Sequence, residues 1–109
     1  ALAHITGGGF LENIPRVLPK TTVAEIDLDQ VPFLPVFKWL QDVGSVSERE
    51  MLRTFNCGIG MVVVVAAKDA KKVTASLKKS GEYVVTLGTI RKRKGAEEQV
   101  AVSGQLSVK

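Results

Sequence analysis

An α+β fold, a mixed β-sheet with helices packed on it, is what this sequence predicts, and three observations carry the prediction. β-branched runs at 21–28 and 60–66 alternate with stretches of helical apolar spacing at 10–18 and 68–80. Turn and cap residues fall between them: Gly7-Gly8-Gly9, Pro19, Gly44, Ser47 and Gly81. The chain has 109 residues, 45% of them hydrophobic, which is one domain's worth of core.

The elements follow in the order β-α-β-α-α-β-α-β-β. Ala1 to Thr6 reads as a strand, and the glycine triplet turns the chain. Phe10 to Leu18 is helical, with Pro15 tolerated only in a first turn, so the helix is expected to start near Asn13 as N-cap and to end at Pro19. Thr21 to Leu28 is a strand. Pro35 suits the first position of a helix presenting Val36, Phe37, Trp39, Leu40 and Val43 on or near one face and stopping at Gly44. Ser47-Glu48-Arg49-Glu50 fits a capping box, predicting a helix over 48–54 with Met51, Leu52 and Phe55 inward. Gly60 to Ala66 reads as a central strand buried on both faces. A basic amphipathic helix over 68–80 turns Ala70, Val73, Ala75 and Leu77 inward. Tyr83 to Ile90 and Gln99 to Val102 are expected to form a hairpin whose loop, 91–98, carries Arg91-Lys92-Arg93-Lys94. The apolar opening Ala1-Leu2-Ala3, with no start methionine, reads as the middle of a strand in a longer protein.

Composition limits the chemistry. One cysteine, Cys57, excludes an intrachain disulfide, and with His4 as the single histidine no zinc site can be built from Cys and His. The reducing cytoplasm is the expected home. The longest apolar run, Ile59 to Ala67, falls far short of the roughly 20 residues of a membrane helix, so no membrane partner is expected. The net charge is +4, and the run Arg91 to Lys94 accounts for it, because the other eleven basic residues equal the eleven acidic ones. That run has no interleaved aromatics for base stacking, so it reads as a solvated loop and no nucleic-acid partner is expected.

Two segments remain as candidate sites. Thr6-Gly7-Gly8-Gly9 removes Cβ atoms from a turn that feeds a helix, so backbone N–H groups can converge on an anion such as phosphate. A plain tight turn is the other reading, since neither a P-loop lysine nor a third spaced glycine follows. Asn13 is read either as a cap or as a ligand contact, and His4, two residues before the turn, as a packed side chain or a catalytic group. In Phe55-Asn56-Cys57-Gly58-Ile59-Gly60, Asn56 can hydrogen-bond a polar substrate group while Gly58 and Gly60 permit close approach; a helix C-cap is the alternative. No Ser/His/Asp triad is evident, nothing orients a Cys57–His4 pair, and Asp27 and Asp29 lie on an edge segment rather than in an acid/base pair.

The stretch His4-Ile5-Thr6-Gly7-Gly8-Gly9-Phe10-Leu11-Glu12-Asn13-Ile14-Pro15-Arg16-Val17-Leu18-Pro19 resembles the glycine-loop motif of the aminoimidazole ribonucleotide synthetase (phosphoribosylformylglycinamidine cyclo-ligase) family. Residues 36–41 and 50–62 are similar to that family as well, and Thr54-Phe55-Asn56-Cys57-Gly58 resembles its eukaryotic form, often one segment of a trifunctional purine-biosynthesis protein. The resemblance covers residues 1 to about 90. It implies that 1–109 is a single unit, most of the C-terminal domain of such an enzyme, whose ATP-binding N-terminal domain lies outside this chain. It further implies a ligase that uses ATP and Mg2+ to convert formylglycinamidine ribonucleotide to aminoimidazole ribonucleotide, with metal ligands outside this chain, and a homodimer in the full-length protein. Under it, Thr6, Gly7, Gly8 and Gly9 would hold phosphate, Asn13, Asn56, Gly58 and Gly60 would line the substrate cleft, and His4 would be the catalytic candidate. The isolated piece is expected to be inactive, and a β-branched residue at Gly8 of the full-length enzyme to weaken substrate binding. The alternatives are another member of the same ATP-dependent superfamily, such as formylglycinamidine synthetase, or a non-catalytic basic binding module using 91–94.

Overall fold

Residue 2 onward forms strand β1 (Leu2–His4), and the chain continues through α1 (Gly9–Val17), β2 (Thr22–Asp27), α2 (Pro35–Gly44), α3 (Glu48–Thr54), β3 (Met61–Val63), α4 (Ala70–Lys79), β4 (Gly88–Lys92) and β5 (Val100–Ser103). The structure is a computed structural model and describes residues 1–108. Single 3-10 turns, Leu28–Gln30 and Ala67–Asp69, follow β2 and precede α4. The α+β class holds, and local sequence signals account for several of the bounds. Ser47 Oγ accepts from the Glu50 amide at 3.3 Å, the half of the capping box that starts α3, and Pro35 opens α2.

The sheets depart from expectation. β4 and β5 are not hairpin partners, because β2 lies between them in a three-stranded sheet of order β4-β2-β5. β4 runs antiparallel to β2, with Ala24 opposite Ile90, and β5 runs parallel to it, with Ala24 opposite Val100. β2 has the residues for a central position: Val23, Ala24 and Ile26 are buried. The run expected to be a central strand forms instead a two-stranded antiparallel sheet with β1, with Leu2 opposite Val63 and His4 opposite Met61. Only one face of that pair is covered. Ala3 and Ile5 are buried, whereas Leu2, Met61, Val63 and Val65 are exposed.

Two helices also bury less than their spacing predicts. On α2, Phe37 and Leu40 are half-buried, while Val36, Trp39 and Val43 face outward. On α4, Val73 and Leu77 are half-buried and Ala70 and Ala75 are exposed. The core lies instead under α1 and α3, where Phe10, Ile14, Phe33, Leu28, Met51 and Leu52 pack together. Each large side chain buried there contributes about 1.5–3 kcal/mol. The ring of Phe37 meets that of Phe55 at a centroid distance of 5.9 Å, the contact that ties α2 to the end of α3.

The basic run is likewise not a free loop. Arg91 and Lys92 belong to β4; Arg91 bonds Glu25 and, at 2.6 Å, Glu97, while Arg93 donates to the carbonyls of Glu97 and Lys20 at 2.7 and 3.1 Å. The Arg91 guanidinium holds the Glu97 carboxyl down at about 2, helped by the Lys94 amide. Both arginines are spent on the fold, which leaves the run poorly placed to act as a cationic binding surface.

Candidate functional site

The Thr6–Gly9 turn and the Asn56–Gly60 segment, 50 residues apart in sequence, meet in space because β1 and β3 pair antiparallel, bringing the end of one to the start of the other. The Ile5 amide donates to the Gly60 carbonyl at 2.9 Å. Gly9 sits so close to the end of α3 that a Cβ there would lie 1.9 Å from the Leu52 carbonyl oxygen and 2.9 Å from that of Phe55. The third glycine is therefore a packing requirement, reinforced by its φ of 55°. Gly8, at φ 99°, sits just before α1, and a Cβ on it would strike the Glu12 side chain. Gly7 is different: it is exposed, and a Cβ there would meet nothing within 4 Å.

Gly8 rather than Asn13 occupies the N-cap position, so α1 begins five residues earlier than expected and holds Pro15 in its interior. The start is earlier because tertiary packing of Gly9 against α3, not a side-chain cap, sets it. Asn13 is instead buried, 6% exposed, as a brace for the turn. Its Nδ2 donates to the carbonyls of Gly9 at 2.9 Å and of Thr6 and Gly7 at 3.3 Å, and its Oδ1 accepts from Arg16 at 3.1 Å. Sequence reasoning gave Arg16 no role; its spacing of three from Asn13 on a helix was the signal. With three loop carbonyls turned toward Asn13, the opposite side of the turn is left to its amides. The Gly9 amide donates to Thr6 at 2.9 Å, while those of Gly7 and Gly8 have no protein acceptor among the described residues. Two free amides at the start of a helix suit a phosphate oxygen, and the helix dipole adds about 0.3–1 kcal/mol.

In the second segment, Asn56 Oδ1 accepts from the Gly58 amide at 2.9 Å, which commits the oxygen and leaves Nδ2 as the group available to a ligand. Gly58, at φ 108°, lets the turn pass 3.2 Å from the Pro32 carbonyl, measured from where a Cβ would stand. His4 projects to the exposed face of β1, opposite Met61. Cys57 faces the other way: it is fully buried, its Sγ donates to the Met51 carbonyl at 3.6 Å, and burial, then the charge of Glu48, pushes its thiol up to about 12. It is a core residue and not a nucleophile.

The donor chemistry of the turn fits a phosphate group such as that of ATP or of a ribonucleotide. Among the described residues no three His, Cys, Asp or Glu side chains are grouped to hold a metal ion. A groove of about 410 Å³ along α1 and α3, with Arg49, Arg53 and Arg93 in its wall, includes none of the candidate residues. No helix among the described residues is long and apolar enough to cross a membrane.

The chain is thus an α+β domain with two glycine turns brought together at one end of a strand pair. Residues 1–101 match the family described as AIR synthase related protein, C-terminal domain, and the chain belongs to that family. Among curated relatives, the phosphoribosylformylglycinamidine cyclo-ligase of Neisseria gonorrhoeae (strain ATCC 700825 / FA 1090) is 57% identical over 102 residues, covering 94% of this chain and 30% of that protein. The protein of the same name from Neisseria meningitidis serogroup C (strain 053442) is 56% identical over the same shares. The chain spans about 30% of the length of the relatives it matches. Neither formylglycinamidine synthetase nor a basic binding module is favoured.

Proposed function

We propose that this chain is a C-terminal part of an ATP-dependent cyclo-ligase of de novo purine biosynthesis, closing the imidazole ring of aminoimidazole ribonucleotide from formylglycinamidine ribonucleotide. The observation that carries the reading is the convergence of the two glycine turns, both inside the region shared with the family. The relatives' printed name supports the reaction class.

ATP, when bound, supplies the phosphoryl group that makes the formyl amide oxygen a leaving group. The chain's own residues hold and position the substrate. The Gly7 and Gly8 amides receive phosphate oxygens, and the Asn13 brace keeps those amides aimed outward. Asn56 Nδ2 donates to a substrate acceptor, while Gly58 and Gly60 let the nucleotide approach the backbone. His4, on the exposed face beside the turn, accepts the proton that the attacking amidine nitrogen loses as the ring closes. Magnesium and most of the ATP contacts come from the remainder of the polypeptide, and the full-length protein is a homodimer of the cytoplasm, with the Thr54–Gly58 wording pointing to a trifunctional parent.

The test is Gly7→Val in the full-length protein, because a Cβ there meets nothing within 4 Å, whereas one at Gly8 strikes Glu12. KM for ATP or for the nucleotide rises about tenfold with the melting temperature unchanged. Unchanged KM for both substrates refutes the phosphate role.

A further inference from the structure

The sequence of β3 and the structure around it disagree in an informative way. Met61-Val62-Val63-Val64-Val65 is apolar at every position, the pattern of a strand covered on both sides, yet only one side of the β1–β3 pair is covered. Val62, Ala3 and Ile5 turn to the core, and the outer side holds Leu2 (62% exposed), Met61 (51%), Val63 (37%) and Val65 (39%), with His4 among them. Leu2 stands directly opposite Val63, so the apolar side chains form one contiguous patch. A two-stranded sheet with a bare apolar face is marginal in water, and patches of this kind mark contact surfaces.

Of the occupants available, more of the same polypeptide fits best. The region shared with the relatives is only 30% of their length, so most of each relative lies outside it. The ladder also continues to the first residue: the Ala1 nitrogen donates to the Val64 carbonyl at 2.9 Å and the Val64 amide to the Ala1 carbonyl at 2.8 Å. Any residue attached before Ala1 is delivered along Val65, onto the edge of the patch. We infer that the outer face of the β1–β3 pair, centred on Leu2, Met61 and Val63, is a docking surface for the polypeptide preceding Ala1 in the full-length protein. The inference rests on the reading of this chain as part of a longer one. It places His4, the residue of that face nearest the Thr6–Gly9 turn, at the seam between the docked polypeptide and the candidate site.

The two methionines provide the test. Met51 is fully buried in the core and Met61 lies on the outer face, and trypsin separates them into peptides 50–53 and 54–68. The full-length protein is exposed to hydrogen peroxide under native conditions and the oxidation of each peptide is followed by mass spectrometry. If the face is covered, Met61 oxidises within about threefold of the rate of Met51. A larger ratio, with Met61 the faster, overturns the proposal. Protection of Met61 that disappears when the protein is diluted to monomers assigns the face to a second copy and also overturns it. The readout is independent of catalysis, so inactivity in a ring-closure assay with Met61 protected refutes the cyclo-ligase reading and leaves the docking surface standing.

Discussion

Asn13 reaches back from α1 to donate to the Gly9 carbonyl at 2.9 Å, so the turn that carries the candidate site is held by a side chain inside the helix it feeds. Among the described residues Asn13 is the one buried polar side chain, and its hydrogen bonds to Thr6, Gly7 and Gly9 leave it fully satisfied. Asn13→Ala removes the brace and its three hydrogen bonds to the turn, of which the one to Gly9 is buried, a loss of about 1–3 kcal/mol. Asn13→Asp is worse, because a carboxylate cannot donate to those three oxygens. Urea denaturation of the full-length protein reports both as lower midpoints, in the order wild type, Ala, Asp.

The three glycines of the turn have separable roles. Gly9→Ala forces a Cβ into the Leu52 carbonyl at a φ of 55°, so α1 and α3 must part, at a cost on the order of 3 kcal/mol. Gly7→Ala meets nothing and changes stability by less than about 0.5 kcal/mol. Thermal melting of the two variants in the full-length protein checks the contrast. Equal melting temperatures would refute the assignment of Gly9 to packing.

How much of this was legible in the sequence depended on the range of the interaction. The bounds of α3 lie in Ser47 and its bond to Glu50, and the start of α2 in Pro35, all within one helical turn. The start of α1 at Gly9 was not legible, because a contact with Leu52, 43 residues away, sets it. For the same reason adjacency in sequence makes β4 and β5 look like a hairpin, whereas β2, with Val23, Ala24 and Ile26 buried, takes the position between them. Both halves of the candidate site were visible as glycine-bearing segments, but their meeting depends on the β1–β3 pairing, which no local pattern encodes. The bracing role of Asn13 has no separate sequence signal, because its spacing to the turn is the same whether it caps or braces.

Glu97 gives the fold a pH-dependent component. Hydrogen bonds from Arg91 and from the Lys94 amide lower its carboxyl from the ordinary 4.5 to about 2. A carboxylate with a depressed value in the folded state adds stability that is complete above 4.5 and is lost as pH falls through about 2. Glu97→Gln therefore lowers the urea midpoint at pH 7, and the gap to wild type closes as the pH is taken down across that window. A gap that persists unchanged at pH 2 would show that the ion pair with Arg91 is not its source.

Cys57 behaves in the opposite sense. Burial, assisted by the Glu48 charge, raises its thiol from 9.0 to about 12, and its Sγ is already engaged with the Met51 carbonyl. Because the folded state holds the proton more tightly, stability from the buried neutral thiol is whole below pH 9.0 and declines as pH rises toward 12. Thiolate is the reactive form, and in the native protein it is both suppressed and out of reach. Iodoacetamide at pH 8 should leave Cys57 unmodified in the native full-length protein and label it completely in denaturant, as read from peptide 54–68. Labelling in the native protein at a rate near that of a free thiol would place the side chain outside the core and remove the argument against its acting as a nucleophile.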